Sequence, residues 1–360
     1  MEKEEEEKKE QEEWENELYW QLHSKSDRNA TGMTITNTCV RFGNNAILVT
    51  GCIKKENESY PSTPYSVVID CSTNPPREVK GPRPHLTRDV NSVVTLLNGD
   101  VAFFGGDHEG KCRNSYEVGD MTKANLHERR YVIGCMCRPR RKAAVVLLES
   151  GLVLITGGCD GEKVVNCCEL FDSETNRCRP CKAKMKIERC RHTASLLPNG
   201  NVLICGGFDD RHHNLQTTEI YNPVTKSFSD GPLMCISRSS HTATTLLDGK
   251  ILVAGGTNLM SMPFSQTLST ELYDPVTNSF SPAANMIYYR SSHFASIMPD
   301  GNVFIGGGVS RLLGMGTEIY DTARNTFVPS IYLKDRAYSS TATPFYYNGK
   351  WYVCIHTCMY

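Results

Sequence analysis

Along this chain the apolar positions fall in short runs that stop at turn residues. Runs such as HTASLLP and HTATTLL close at Asn199-Gly200 and Asp248-Gly249, with like pairs at Asn98-Gly99, Asp300-Gly301 and Asn348-Gly349. These are the dipeptides of tight β-hairpins, so each run predicts a first strand. A second apolar run follows in DVAFFGG, LVLITGG, NVLICGG, KILVAGG and NVFIGGG, ending at Gly105-Gly106, Gly157-Gly158, Gly206-Gly207, Gly255-Gly256 and Gly307-Gly308. After a loop of unequal length comes a third strand, TEIYNP, TELYDP or TEIYDT, and a polar turn leads to a fourth that opens on an aromatic.

The pattern repeats every 48 to 54 residues, with weaker copies at Gly51 and Ile355. Such a period marks a repeat architecture. Four antiparallel strands per unit cannot bury a hydrophobic face alone, but become stable when the sheets pack radially as a β-propeller. The paired glycines let the backbone bend and approach a neighbouring blade. Tyr221, Tyr273 and Tyr320 each precede a Phe by seven residues (Phe228, Phe280, Phe327); Phe171 stands likewise before Cys178, and Glu117 is aligned with a fourth strand at Leu126. These aromatics are expected to fill the gap between blades.

A glycine pair, a Tyr 10 to 18 residues on and an aromatic seven beyond resemble the kelch repeat over residues 30 to 356. Phe stands where that family usually has Trp. The expectation is an all-β, kelch-type β-propeller of seven four-stranded blades over residues 15–360, behind an acidic helical or disordered tail at 1–14. The last unit lacks its outer strands, and Glu17-Leu18-Tyr19 resembles Glu271-Leu272-Tyr273, so residues 15–30 are expected to close the ring. Closure would remove unpaired sheet edges. The alternative is a six-bladed ring with a stray hairpin.

Composition narrows the class. A hydrophobic fraction of 39%, with 28 Gly, 17 Pro, 12 Phe and 16 Tyr, suits a chain that buries a core. No apolar run approaches the ~20 residues of a membrane span. The N-terminus has no apolar segment of the secretory kind, so the protein is expected to be cytoplasmic and its 16 cysteines reduced. The net charge is −1, but ten Glu in the first 17 residues leave the body mildly basic. With no basic run longer than RPRRK at 138–142, read as a solvated loop, nothing suggests nucleic acid.

Candidate chemistry lies at the start of the first strands. Arg189/His192, Arg238/His241 and Arg290/His293 repeat an Arg-x-x-His pattern, with Arg140 aligned and Arg88 opposite Asn91. These arginines are expected to ring the axis on the loop face. Guanidinium groups there could hold an acidic peptide or a carboxylate. Equally, Glu117, Glu169, Glu219, Glu271 and Glu318 recur on the third strands, nearly one per arginine, and could pair with them. Met260, Met262 and Phe264 make the most apolar loop, a candidate partner anchor. Cys178, Cys181, Cys190 and His192 have zinc-like spacing, and Asp209, Asp210, His212 and His213 share a loop. The repeat alignment accounts for the first set, and adjacency alone fixes no geometry for the second, so no metal or cofactor is expected.

Galactose oxidase and its relatives resemble this chain in their RxxH-x-A-x-LPDG strands, but their copper chemistry needs tyrosine and histidine ligands that have no match here. The kelch resemblance implies a non-enzymatic scaffold that binds another protein through its loop and channel-mouth face. The alternative is a small-molecule enzyme, of a sugar-modifying type, with an Arg/His site at the channel mouth.

Overall fold

A computed structural model describes residues 92–358, apart from 109–110, 120–130, 259–265, 299, 307, 309–315, 333–337 and 348–349, and the strand backbones within 34–80. The described residues contain strands, turns and no helix, and so no helix able to span a membrane. The first sheet is β1 (Thr34–Phe42), β2 (Ala46–Lys54), β3 (Thr63–Asp70) and β4 (Arg77–Lys80). The second is β5 (Ser92–Thr95), β6 (Val101–Phe104), β9 (Ser115–Gly119) and β10 (Tyr131–Cys135), with the small hairpin β7 (Asp107–His108) and β8 (Lys111–Cys112) set between its middle strands.

Three near-identical sheets follow. They are β11 (Ala144–Leu147), β12 (Val153–Thr156), β13 (Cys168–Asp172) and β14 (Arg177–Pro180); β15 (Thr193–Leu196), β16 (Val202–Cys205), β17 (Thr218–Asn222) and β18 (Ser227–Asp230); and β19 (Thr242–Thr245), β20 (Ile251–Ala254), β21 (Thr270–Asp274) and β22 (Ser279–Pro282). The sixth is β23 (Phe294–Ile297), β24 (Val303–Gly306), β25 (Gly316–Asp321) and β26 (Thr326–Tyr332), and β27 (Tyr338–Tyr347) then pairs with β28 (Lys350–Cys358).

All these pairings are antiparallel. The first strand of each sheet lies beside the first strand of the next, β1 by β5, then β11, β15, β19, β23 and β27, and β27 lies beside β1. That order about one axis is the arrangement of a kelch β-propeller. The 15–30 closure and the 1–14 tail fall outside the described residues.

Second strands are buried along their whole length, as Val202–Cys205 illustrates, because both faces of each sheet are covered by neighbouring blades. The seven-residue aromatic spacing follows from register: Tyr221 sits directly opposite Phe228, Tyr273 opposite Phe280 and Tyr320 opposite Phe327. The paired rings lie 4.8 to 5.1 Å apart. Tyr221 packs with Val146, Leu154 and Met185 of the preceding blade as well as Val202 and Ile204 of its own, so the aromatics do fill the gap between blades.

The second sheet departs from the alignment. Its fourth strand is Tyr131–Cys135, with Ile133 opposite Glu117, not the stretch at Leu126. Elsewhere the partner comes eleven residues after the Glu, as Asp230 opposite Glu219. The sequence between β9 and β10, DMTKANLHERR, is longer and more polar than NPVTK, so counting from Glu117 falls short of the strand.

Candidate functional site

The third to sixth blades each begin with the same joint. Arg189 Nη1 donates to the carbonyls of Gly206 at 2.8 Å and Thr217 at 3.1 Å, while Nη2 donates to Glu219 Oε1 at 2.8 Å. Arg140 repeats this with Gly157, Cys167 and Glu169, and Arg238 with Gly255, Ser269 and Glu271. Arg290 pairs with Glu318 at 3.0 Å. The second oxygen of each Glu accepts the backbone N–H of Cys137, Lys186, Cys235 or Ile287. The carboxylate thus pins the chain entering its blade.

The same arginines tie blades together by their backbone. The carbonyls of Arg140, Arg189, Arg238 and Arg290 accept the N–H of Gly106, Gly158, Gly207 and Gly256 from the blade before, at 2.7 to 2.9 Å. That approach explains the glycine pairs. Gly206 and Gly207 have φ of +58° and +91°, and a Cβ on Gly206 would lie 2.4 Å from the Arg238 carbonyl oxygen. Gly307 lies outside the described residues.

The four arginines are 0 to 1% exposed. They do not present guanidinium groups to a ligand on the loop face, because the third-strand Glu and the glycine carbonyl take them into the blade interior. His192, His241 and His293 are buried too, with Nε2 against the hydroxyls of Thr156, Thr193 and Thr242 of the preceding blade at 2.8 to 3.0 Å. Burial, with the neighbouring arginine charge, pushes the His241 pKa down to about 3 and the other two well below the usual value. They are neutral spacers that wedge between blades. Met260, Met262 and Phe264 lie outside the described residues.

Two residues beyond each buried arginine the backbone repeats but the side chains change. Lys142, Arg191, Ser240 and Ser292 all have left-handed φ, between 51° and 55°. Arg191 donates its N–H to the Lys142 carbonyl, Ser240 to Arg191 and Ser292 to Ser240, at 2.8 to 3.0 Å. This chain of hydrogen bonds crosses four blades at the entrance to their innermost strands, so it rims the axis on the loop face.

Three cations gather on this rim. Arg141 pairs with Asp107 of the β7–β8 hairpin at 2.7 Å. Partial burial, then Arg191 and Arg141 nearby, lower the Lys142 pKa, whereas Arg191 itself is exposed. The Arg191 guanidinium reaches the Ser240 hydroxyl at 3.3 Å and lies 5.8 Å from the Phe208 ring centre. Asp107 is positioned to offset one of these charges, and Lys142 and Arg191 form no ion pair among the described residues.

A model of the KLHDC2/KLHL20/DRC7 Kelch-repeats domain matches residues 36–256. The chain belongs to this kelch-repeat family. Among solved structures the kelch fold is shared with YjhT at 12% identity and a TM-score of 0.60, over 76% of this chain and 98% of that one. It is also shared with a fungal alcohol oxidase of the AA5 family in complex with copper, at 16% identity and a TM-score of 0.65, over 87% of this chain and 70% of that one. No curated protein matches the chain by sequence.

Among the described residues of this kelch domain no three His, Cys, Asp or Glu side chains converge to hold a metal ion. Asp209 caps its own loop through the N–H groups of Arg211 and His213, and Asp210 accepts from Val164 of the blade before. Cys178 packs opposite Phe171 and Cys190 sits in a small apolar cluster with Val164 and Phe208.

Two features of the kelch joint escaped notice in the sequence. One is a Met four residues before each arginine, at Met136, Met185, Met234 and Met286, buried against the preceding blade's glycine. The other is the rim position, which reads Lys, Arg, Ser, Ser at a fixed step after the arginine. Either was visible once the units were aligned on Arg instead of on Gly-Gly.

Proposed function

We propose that this kelch domain is a non-enzymatic adaptor that holds an acidic segment of a protein partner against the loop-face rim of its axis. The observation that carries it is the cationic rim of Arg141, Lys142 and Arg191, in which, among the described residues, Asp107 pairs with Arg141 alone. Uncompensated positive charge at a surface attracts and orients an anionic partner. Kelch membership favours protein binding, and Met260, Met262 and Phe264 are proposed as a further anchor for the partner. A cytoplasmic, reducing setting fits the free thiols described.

The enzyme reading loses support because its imidazoles are buried, neutral and bound to threonines. A general base needs a pKa near the working pH and access to substrate.

The test is calorimetric titration of the full chain with hexaglutamate and with hexalysine. Hexaglutamate is expected to bind, with affinity falling steeply as salt rises, and the Lys142→Glu/Arg191→Glu double variant to lose at least about tenfold of it. Equal binding by the variant, or preference for hexalysine, contradicts the proposal.

A further inference from the structure

We infer that the rim takes one kind of acidic group in preference to others: a phosphate monoester on a partner's side chain, phosphoserine or phosphothreonine. The inference rests on the adaptor reading and specifies its ligand. It begins with the charges. Arg141 is matched by Asp107 at 2.7 Å, whereas among the described residues Lys142 and Arg191 have no carboxylate in salt-bridge range. They stand on adjacent blades, joined by the Arg191 N–H to Lys142 carbonyl bond at 3.0 Å. Two positive charges therefore stand side by side on the rim and repel each other.

A carboxylate brings a single negative charge and would satisfy one of them. A phosphate monoester carries roughly −1.5 to −2 at neutral pH, with three strong acceptor oxygens, and would satisfy both. The donors also suit it. Arg191 offers a planar fork of N–H groups and Lys142 a compact ammonium, the two cationic donors that proteins use on phosphate. The Ser240 hydroxyl at 3.3 Å and the Phe208 ring at 5.8 Å give the Arg191 guanidinium a defined position before any ligand arrives.

The rim backbone is fixed as well. The left-handed conformations at Lys142, Arg191, Ser240 and Ser292 are held by the hydrogen bonds that run from blade to blade. For non-glycine residues that conformation is uncommon. Among the described residues the rim continues with two serines, Ser240 and Ser292, which bring no negative charge.

The experiment is isothermal titration of the full chain with the capped tripeptides Gly-phosphoserine-Gly and Gly-Glu-Gly, with inorganic phosphate, and with hexaglutamate. The phosphoserine peptide is expected to bind at least about tenfold tighter than its glutamate counterpart, with inorganic phosphate competing more weakly. Lys142→Ala and Arg191→Ala are each expected to lose about tenfold, and Arg191→Lys less, with melting temperatures unchanged. Hexaglutamate binding without preference for phosphoserine over glutamate overturns the phosphate assignment and leaves the adaptor reading standing. Inorganic phosphate binding as tightly as the peptide overturns it in favour of a free-ion site. Failure of every probe, hexaglutamate included, overturns both.

Discussion

Residues 140, 189, 238 and 290 and residues 142, 191, 240 and 292 lie two steps apart in the same repeat, yet they behave as opposites. At the first set the side chain is Arg every time, it is 0 to 1% exposed, and its bonds to a Glu recur from blade to blade. At the second set the backbone recurs, with left-handed φ and a hydrogen bond to the next blade, but the side chain is Lys, Arg, Ser or Ser. Where a repeat keeps the side chain it is building the scaffold. Where it keeps only the backbone, the scaffold is finished and the side chain is available for recognition. The arginines that drew attention as ligand contacts belong to the first kind.

The largest effect that would break this contrast is at the joint itself. Arg238→Ala leaves Glu271 buried without its cation, and removal of one partner of a buried pair costs about 3–5 kcal/mol. Chemical denaturation should show that loss. A change below about 1 kcal/mol would mean that the pair is not what holds the blade.

The second effect is on pH. His241 stays neutral in the folded protein because burial lowers its pKa from 6.5 to about 3, while in the unfolded chain it titrates normally. Between those values the unfolded state takes up a proton that the folded state refuses, so stability falls as pH drops below 6.5 and is unaffected above it. The loss is about 2 kcal/mol per such histidine at pH 5. Thermal melts at pH 5 and 7.5 should differ accordingly, and His241→Gln should shrink the difference by about a third, since His192 and His293 remain. Equal melting temperatures would place these imidazoles in water instead of between blades.

The smallest effect lies at the turns between third and fourth strands. Asn278 and Asn325 have φ of 50° and 51° and accept the hydroxyls of Tyr273 and Tyr320, whereas the equivalent Lys226 has φ of 53° and no such bond to Tyr221. Asn tolerates this conformation better than Lys. Lys226→Asn is therefore expected to stabilise by about 0.5–1 kcal/mol, read from the denaturation midpoint. No gain would show that the turn is already relaxed.

Much of the fold was legible because propeller blades are local: hairpin dipeptides, glycine pairs and the Tyr-to-Phe spacing are each set within one unit. The fourth strand of the second sheet was missed because eleven residues of polar sequence between Gly119 and Tyr131 break the count from Glu117. The site was harder to read. Arg-x-x-His is conspicuous, but whether a guanidinium faces the axis or the blade depends on the carbonyls of Gly157, Gly206 and Gly255 accepting it, contacts some 17 residues away that spacing alone does not reveal. Lys142 was read as part of a solvated loop, and Arg191 was not singled out at all. Their proximity arises from packing of adjacent blades.

The most direct test compares Arg189→Ala with Arg191→Ala, two substitutions of the same residue type two positions apart, measuring melting temperature and hexaglutamate affinity on the same samples. Arg189→Ala is expected to lower the melting temperature by several degrees, and Arg191→Ala to leave it unchanged while weakening the peptide about tenfold. An Arg191→Ala protein that melts early and binds normally, beside an Arg189→Ala protein that folds well and has lost the peptide, would contradict the division between scaffold and rim.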